Sequence, residues 1–363
     1  MQSDRTVTRL TPGPAPAIHR YYDVPVEEPP GGGGRILYFR FDSERIPGPG
    51  TVVVADADGG HPVEVGRGEE AIGHVGAGQT WVAPGRVAFS PRQQSEGTSV
   101  IVDVDTGEAT PIESNIRSVC EATAEAVIMG GGGAARATRL DRIQTMRMLD
   151  LASGVSRPLL AVEQAWSIHP RKNEFEPGIS NFQNPKFSPD GRRLFVVFGT
   201  QVYTMQTERK DLPRIKSLIL MDTRGEDVVY LGEFGHHPMW LPDGSGIIAH
   251  CKDAAGRQDL MRFSLDGGGP EMFVENLPGM HCSPDRAGRR LVTDVFGAPA
   301  EDQVSVILVH LADGRRETLA AGRHTGRDHM TGCHPHPQWS RDESRIFFNH
   351  PDSGAPQLYA VSV

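Results

Sequence analysis

Ser188-Pro189-Asp190-Gly191-Arg192-Arg193-Leu194-Phe195-Val196-Val197 is the stretch that decides the fold. A tight polar turn closed by glycine runs straight into a β-branched and aromatic segment, the pattern of a turn feeding a short strand. The device recurs at Gly34-Arg35-Ile36-Leu37-Tyr38-Phe39 and at Gly85-Arg86-Val87-Ala88-Phe89-Ser90. It recurs again at 241–249, 287–294 and 340–348, with a degraded copy at 133–140. Seven anchors with a spacing of roughly 45–60 residues have the period of propeller blades. The expected fold is therefore all-β, a single seven-bladed β-propeller domain over residues 1–363.

The two ends of the chain complement each other. Gln357-Leu358-Tyr359-Ala360-Val361 follows a Ser-Gly turn as the third strand of a blade would, and no fourth strand comes after it. Thr6 to Leu10 alternates like a strand and can supply the missing one. A ring closed by strands from both termini leaves no open edge.

Composition agrees with many short strands. Gly 42 and Pro 28 are too many for a helical protein, and 38% hydrophobic residues suit several small cores better than one large one. The net charge of −9 argues against nucleic acid and against an anionic membrane as partners. It still admits an anionic substrate, because a metal ion and a few arginines can reverse the local field. Cys120, Cys251, Cys282 and Cys333 have no paired spacing, which suits a reducing compartment. Met1 to Thr11 is polar, and no stretch has the length of a membrane span, so a cytoplasmic location is expected. The glycine runs at Gly31 to Gly34 and Gly130 to Gly133 lead into neither a helix nor a Gly-Lys-Ser/Thr ending, and read as plain turns.

The chemistry emerges when the late units are aligned on their turns. Asn184-Pro185-Lys186-Phe187, His237-Pro238-Met239-Trp240 and His336-Pro337-Gln338-Trp339 each stand at the same distance before the turn. Counting back from Gly288 places His281 in that register as well. Proline in each element fits an inner strand with a free edge. His334 joins His336 through a His-x-His spacing, which puts both rings on one side of an extended segment. Histidines converging near a propeller axis make a metal site with open positions, suited to manganese, zinc or iron(II). Cys282 and Cys333 adjoin two of these histidines but point to the opposite face, into the blades. Asp294 and Asp328-His329 are candidates to support the ligands from behind. His169-Pro170-Arg171-Lys172-Asn173 reads as a basic loop, either over the channel mouth or on the solvated surface. Arg214, ahead of an apolar strand, is a candidate to bind an acid group. No Gly-x-Ser-x-Gly elbow is present, so no nucleophilic serine is indicated.

Val7-Thr8-Arg9-Leu10-Thr11-Pro12 with His19-Arg20, Gly235-His236-His237 before Trp240, His281, and His334-Pro335-His336-Pro337 together resemble the oligogalacturonate lyase family over nearly the whole chain. The resemblance implies a seven-bladed propeller that holds manganese and cleaves short pectin fragments in the cytoplasm by β-elimination. It implies metal ligation by His281, His334 and His336, with His237 as the catalytic histidine. Arg214, Asn184 and Arg20 are the residues expected to hold the sugar acid. A glutamine ligand is implied three residues before His334, where this chain has Thr331, leaving water, His329 or nothing in the fourth position. Two other readings stand beside the lyase. One is a non-catalytic TolB-like propeller that serves as a binding or scaffolding module. The other is a lyase or hydrolase for a different acidic glycan.

Overall fold

A computed structural model describes residues 5–92, 97–129, 145–201, 211–253, 255–297, 300–324, 330–350 and 355–363. Its strands form seven four-stranded antiparallel sheets, the blades of a β-propeller. Blade 1 is β2 (Ala17–Ile18), β3 (Ile36–Phe41), β4 (Gly48–Ala55) and β5 (Val63–Ala71), and blade 2 is β6 (Thr80–Ala83), β7 (Arg86–Phe89), β8 (Ser99–Asp103) and β9 (Ala109–Ile112). Blade 3 comprises β10 (Asn115–Cys120), β11 (Glu125–Met129), β12 (Thr145–Asp150) and β13 (Ser156–Ala161). Blade 4 comprises β14 (Asn181–Phe187), β15 (Arg193–Gly199), β16 (Ser217–Asp222) and β17 (Val229–Glu233). Blade 5 is β18 (His236–Trp240), β19 (Ile247–Lys252), β20 (Gln258–Phe263) and β21 (Pro270–Val274), and blade 6 is β22 (Cys282–Pro284), β23 (Arg290–Phe296), β24 (Gln303–His310) and β25 (Arg316–Arg323). In blade 7, β26 (Gln338–Trp339), β27 (Arg345–His350) and β28 (Gln357–Ser362) are completed by β1 (Val7–Arg9). Val7 pairs with Val361, Thr8 with Ala360 and Arg9 with Tyr359, so both ends of the chain close one blade.

Each anchor turn places a residue in the left-handed region immediately before the second strand of its blade. Glycine does this at Gly34, Gly85, Gly191, Gly244 and Gly288, with φ between 62° and 71°. Ala124 (φ 54°) and Glu343 (φ 60°) do it without glycine. The third anchor is thus the turn before β11, not the stretch at 133–140, which lies outside the described residues, as does the run Gly130 to Gly133. That turn carries no Asp-Gly signal, because alanine fills the left-handed position.

The chain divides into two compact units, residues 113–277 and a unit of 1–112 with 278–363. In the second of these, β3 feeds two cores by strict alternation. Leu37, Phe39 and Phe41 pack with Val52, Trp81 and Phe89 on one face. Ile36 and Tyr38 pack with Val53, Phe347 and Leu358 on the other. In the unit of residues 113–277, β15 does the same. Leu194, Val196 and Phe198 join Val127, Met146 and Phe182, while Phe195 and Val197 join Trp240 and Phe263. Second strands buried on both faces explain the unbroken apolar runs.

A tryptophan bond repeats between blades within each unit. Trp240 Nε1 donates to the Lys186 carbonyl at 3.0 Å, and Trp339 Nε1 to the Ser283 carbonyl at 2.9 Å. Trp81 Nε1 does likewise to the Val26 carbonyl at 3.0 Å. A short α-helix, α1 (Val162–Ser167), lies between blades 3 and 4 in the chain. None of the described helices is long and apolar enough to cross a membrane.

Candidate metal centre

The shared register of Asn184, His237 and His336 is visible in the backbone. All three are left-handed, with φ of 46°, 53° and 48°. In β14 and β18 the ladder slips at this point, between Gln183 and Lys186 and between His236 and Met239. A bulge of this kind turns one side chain out of the alternating pattern and aims it elsewhere. His281 holds the equivalent place before β22 without the left-handed backbone, and it is followed by cysteine rather than proline.

In the unit of residues 1–112 and 278–363, His74, His281, His334 and His336 come together. One ring nitrogen from each lies within 4.8 Å of the others. All four are buried, at 7%, 0%, 1% and 0% exposure. Neither ring nitrogen of His336 has a hydrogen-bond partner among the described residues. Burial and the neighbouring imidazoles push its pKa well down, so the ring is a neutral donor. Two buried and otherwise unbonded lone-pair or N–H positions would be costly without a ligand. The donor set therefore fits a divalent cation.

Neighbouring residues fix the ligands. The Asp294 carboxylate takes the His281 ring at Nδ1 (2.8 Å) and also the His281 backbone amide at 2.9 Å. With Nδ1 held, Nε2 is the nitrogen left to face a metal. Burial alone would raise the Asp294 carboxyl, but the His281 charge and hydrogen bonds, with His334 beyond, hold it below the usual range. Asn349 of β27 clamps the other limb. Its Nδ2 donates to the His334 carbonyl at 3.2 Å, and its backbone amide donates to the Pro335 carbonyl at 2.8 Å. Its Oδ1 accepts the His19 amide at 2.9 Å. Burial pushes the His19 pKa down to about 4, partly offset by its bond to the Pro335 carbonyl. Tyr21 lays its ring against His336 at 4.7 Å, His74 at 5.3 Å and His281 at 5.5 Å. Gln338 pins the backbone of that segment, donating to the Tyr21 and Val24 carbonyls.

Cys282 and Cys333 are buried outside the histidine group, and Cys333 packs into the apolar core of blades 1 and 2. Arg20 follows β2 in the same unit, and burial pushes its pKa down to about 10 against the pull of Asp23. The Thr331 backbone lies against Gly73, on the loop that carries His74. Asp328 and His329 lie outside the described residues.

His237, Asn184 and Arg214 belong to the unit of residues 113–277. His237 is half-buried on β18, Asn184 is exposed at the bulge of β14, and Arg214 is exposed ahead of β16. Lys216 is the more enclosed cation there. It donates from Nζ to the Gly235 carbonyl at 2.8 Å, and burial with the nearby Arg214 charge pushes its pKa down to about 8.

The stretch 169–173 has Pro170, Lys172 and Asn173 exposed, as the surface alternative expects, but its Arg171 charge is paired. Arg171 pairs with Glu174 and Glu233, and Lys172 Nζ caps the Ser167 carbonyl at 2.8 Å. His169 is buried, with Nδ1 accepting the Arg171 amide at 3.1 Å. The ring proton therefore sits on Nε2 and is donated to Ser217 Oγ at 2.8 Å. A serine that accepts from imidazole has no base, so this pair is a packing lock and not a nucleophile.

Sequence reasoning missed His74 because it stands on the loop between β5 and β6, outside the register of the turns. The available signal was the glycine-flanked run Ile72-Gly73-His74-Val75-Gly76-Ala77-Gly78.

These features define a seven-bladed propeller with a buried all-histidine cluster. No protein-family model matches the sequence, and no curated protein matches it either. Among solved structures, the chain is similar to oligogalacturonate lyase from Vibrio parahaemolyticus at 15% identity and TM-score 0.69, over 100% of this chain and 95% of that one. It is equally similar to an oligogalacturonate lyase in complex with manganese, at 15% identity and TM-score 0.68, over 100% and 94% of the two chains. The β-propeller domain of the Trilobed protease from Pyrococcus furiosus gives 13% identity and TM-score 0.50, over 94% and 95%. These likenesses establish the propeller fold.

Proposed function

We propose that the protein is a metal-dependent lyase that cleaves short uronic-acid oligosaccharides, of the oligogalacturonate type, by β-elimination. One observation carries the reading: a cluster of buried histidine nitrogens within 4.8 Å of one another, on a propeller similar to lyases of that name. His281, His334 and His336 would hold the ion. A divalent cation bound there supplies Lewis-acid charge to a substrate carboxylate.

The remaining work falls to the chain. His237 is the proposed base, removing the proton on the carbon next to the carboxylate. The electron pair released from that C–H bond forms a carbon–carbon double bond, and the glycosidic oxygen on the next carbon leaves with its own pair. Arg20, Arg214 and Asn184 are the proposed sugar-acid contacts. The acidic balance of the chain is no obstacle, since these cations act locally.

The products decide between chemistries. Elimination leaves a conjugated unsaturated uronide that absorbs ultraviolet light, whereas hydrolysis leaves none. We expect absorbance to rise with a galacturonate, glucuronate or related uronide oligomer. His237→Ala should abolish the signal with metal content intact, and the double variant His334→Ala/His336→Ala should lose both. A metal-loaded protein that gives no absorbance with any uronide of the panel is instead a binding module of the TolB-like kind.

A further inference from the structure

The turn carrying His74 is built to hold one side chain still. Ile72 and Gly76 exchange both backbone hydrogen bonds, at 3.1 and 2.9 Å, and the Gly78 amide closes onto the Val75 carbonyl at 3.0 Å. Gly76 is left-handed, and a Cβ there would stand 2.8 Å from the Cβ of Phe39. The Gly73 amide donates to the Met330 carbonyl at 2.7 Å, and a Cβ on Gly73 would meet the Thr331 carbonyl oxygen at 2.7 Å. Glycine at 73 is therefore what lets the backbone just ahead of His334 lie on this turn. The His74 ring is brought edge-on to His334 and to His336, 4.6 Å from each between centroids. Among the described residues no carboxylate or thiolate belongs to the group: Asp294 is committed to His281 Nδ1, and Cys282 and Cys333 are buried outside it.

We propose that His74 is a fourth metal ligand, and that the resulting four-imidazole site selects zinc or its neighbours cobalt and nickel over manganese. The inference rests on the metal-site reading above and changes its donor set. Manganese is a hard ion that favours carboxylate, carbonyl and water oxygens, whereas imidazole suits the later first-row ions. A site with four ring nitrogens widens the natural preference for those ions. Replacing one imidazole by an amide oxygen narrows it.

The test counts nitrogens and weighs metals in the full-length protein. Chelator-stripped protein is dialysed against equimolar manganese and zinc and its metal content measured. A copper(II)-loaded sample is examined by electron paramagnetic resonance. We expect about one zinc per chain with manganese at trace level, and nitrogen splitting from four imidazoles. His74→Gln should show three, with at least a tenfold larger manganese share. Three-nitrogen splitting in the unaltered protein overturns the proposal and leaves the three-histidine site standing, and so does a metal ratio unchanged by His74→Gln. Manganese retained in preference to zinc overturns it as well. Failure of the unaltered protein to bind any ion removes the proposal and the metal-dependent lyase together. Should His74→Gln not fold, the splitting of the unaltered protein decides alone.

Discussion

Asp294 grips His281 by both its ring and its backbone amide, so a single carboxylate sets the direction and the basicity of one ligand. Asp294→Asn preserves the shape and removes the charge. We expect metal affinity to fall by roughly 10- to 100-fold, the usual effect of losing such a supporting partner, measured by competition with a chromogenic chelator. The same assay on His237→Ala should give the affinity of the unaltered protein. At this scale the sequence was readable wherever a turn fixed the count. His281 and His336 stand seven residues before Gly288 and Glu343, and His334 follows from His336 by alternation. His74 obeys no such count, because nothing in a loop's length says which way its tip will point. The glycines around it mark only that the chain there comes close to another backbone.

At the level of elements, the glycine run at 31–34 is occupied from within. The Glu28 carboxylate accepts the Gly33 and Gly85 amides at 2.8 and 2.7 Å and pairs with Arg35, and a Cβ on Gly32 would overlap its side chain at 2.2 Å. The plain-turn reading holds, and the anion that such a run could have cradled is the protein's own. The His169–Ser217 lock between the segment after α1 and strand β16 has a measurable cost in acid. Burial lowers the His169 pKa from 6.5 to about 4. Between those values the unfolded chain takes up a proton that the folded chain refuses. Stability is therefore full above about pH 6.5 and declines towards pH 4, by on the order of 3 kcal/mol from this residue. His169→Gln keeps a donor for Ser217 and should flatten that part of the pH dependence of the urea midpoint, while His19 and His336 contribute theirs in both proteins. The sequence suggested a basic loop here because it displays the charges of Arg171 and Lys172 but not Glu233, which is distant in the chain and pairs with Arg171.

For the molecule as a whole, β1 is the strand that the sequence assigned to blade 7, and its side chains are exposed. Its hold is mainly the backbone ladder to β28 together with the Arg5–Glu317 pair. Deleting residues 5–9 should cost about 2–3 kcal/mol, from a few ladder bonds of roughly 1 kcal/mol each. The uncovered edge of β28 should then appear as concentration-dependent association in light scattering. The blade count was legible because five of the seven left-handed turn positions are glycine. Ala124 and Glu343 tolerate the same backbone through context that a linear reading does not contain. The histidine cluster draws on residues 74, 281, 334 and 336, more than 250 positions from first to last. Residues 113–277, by contrast, form a compact unit from one unbroken stretch. During synthesis that stretch can pack as soon as it leaves the ribosome, while His74 waits, already made, for partners still to be translated. An unfinished chain that stops before residue 334 lacks two of the four nitrogens. On the proposed reading, tight metal uptake therefore requires translation to have passed residue 336, and loading the ion would report that blade 7 has been reached.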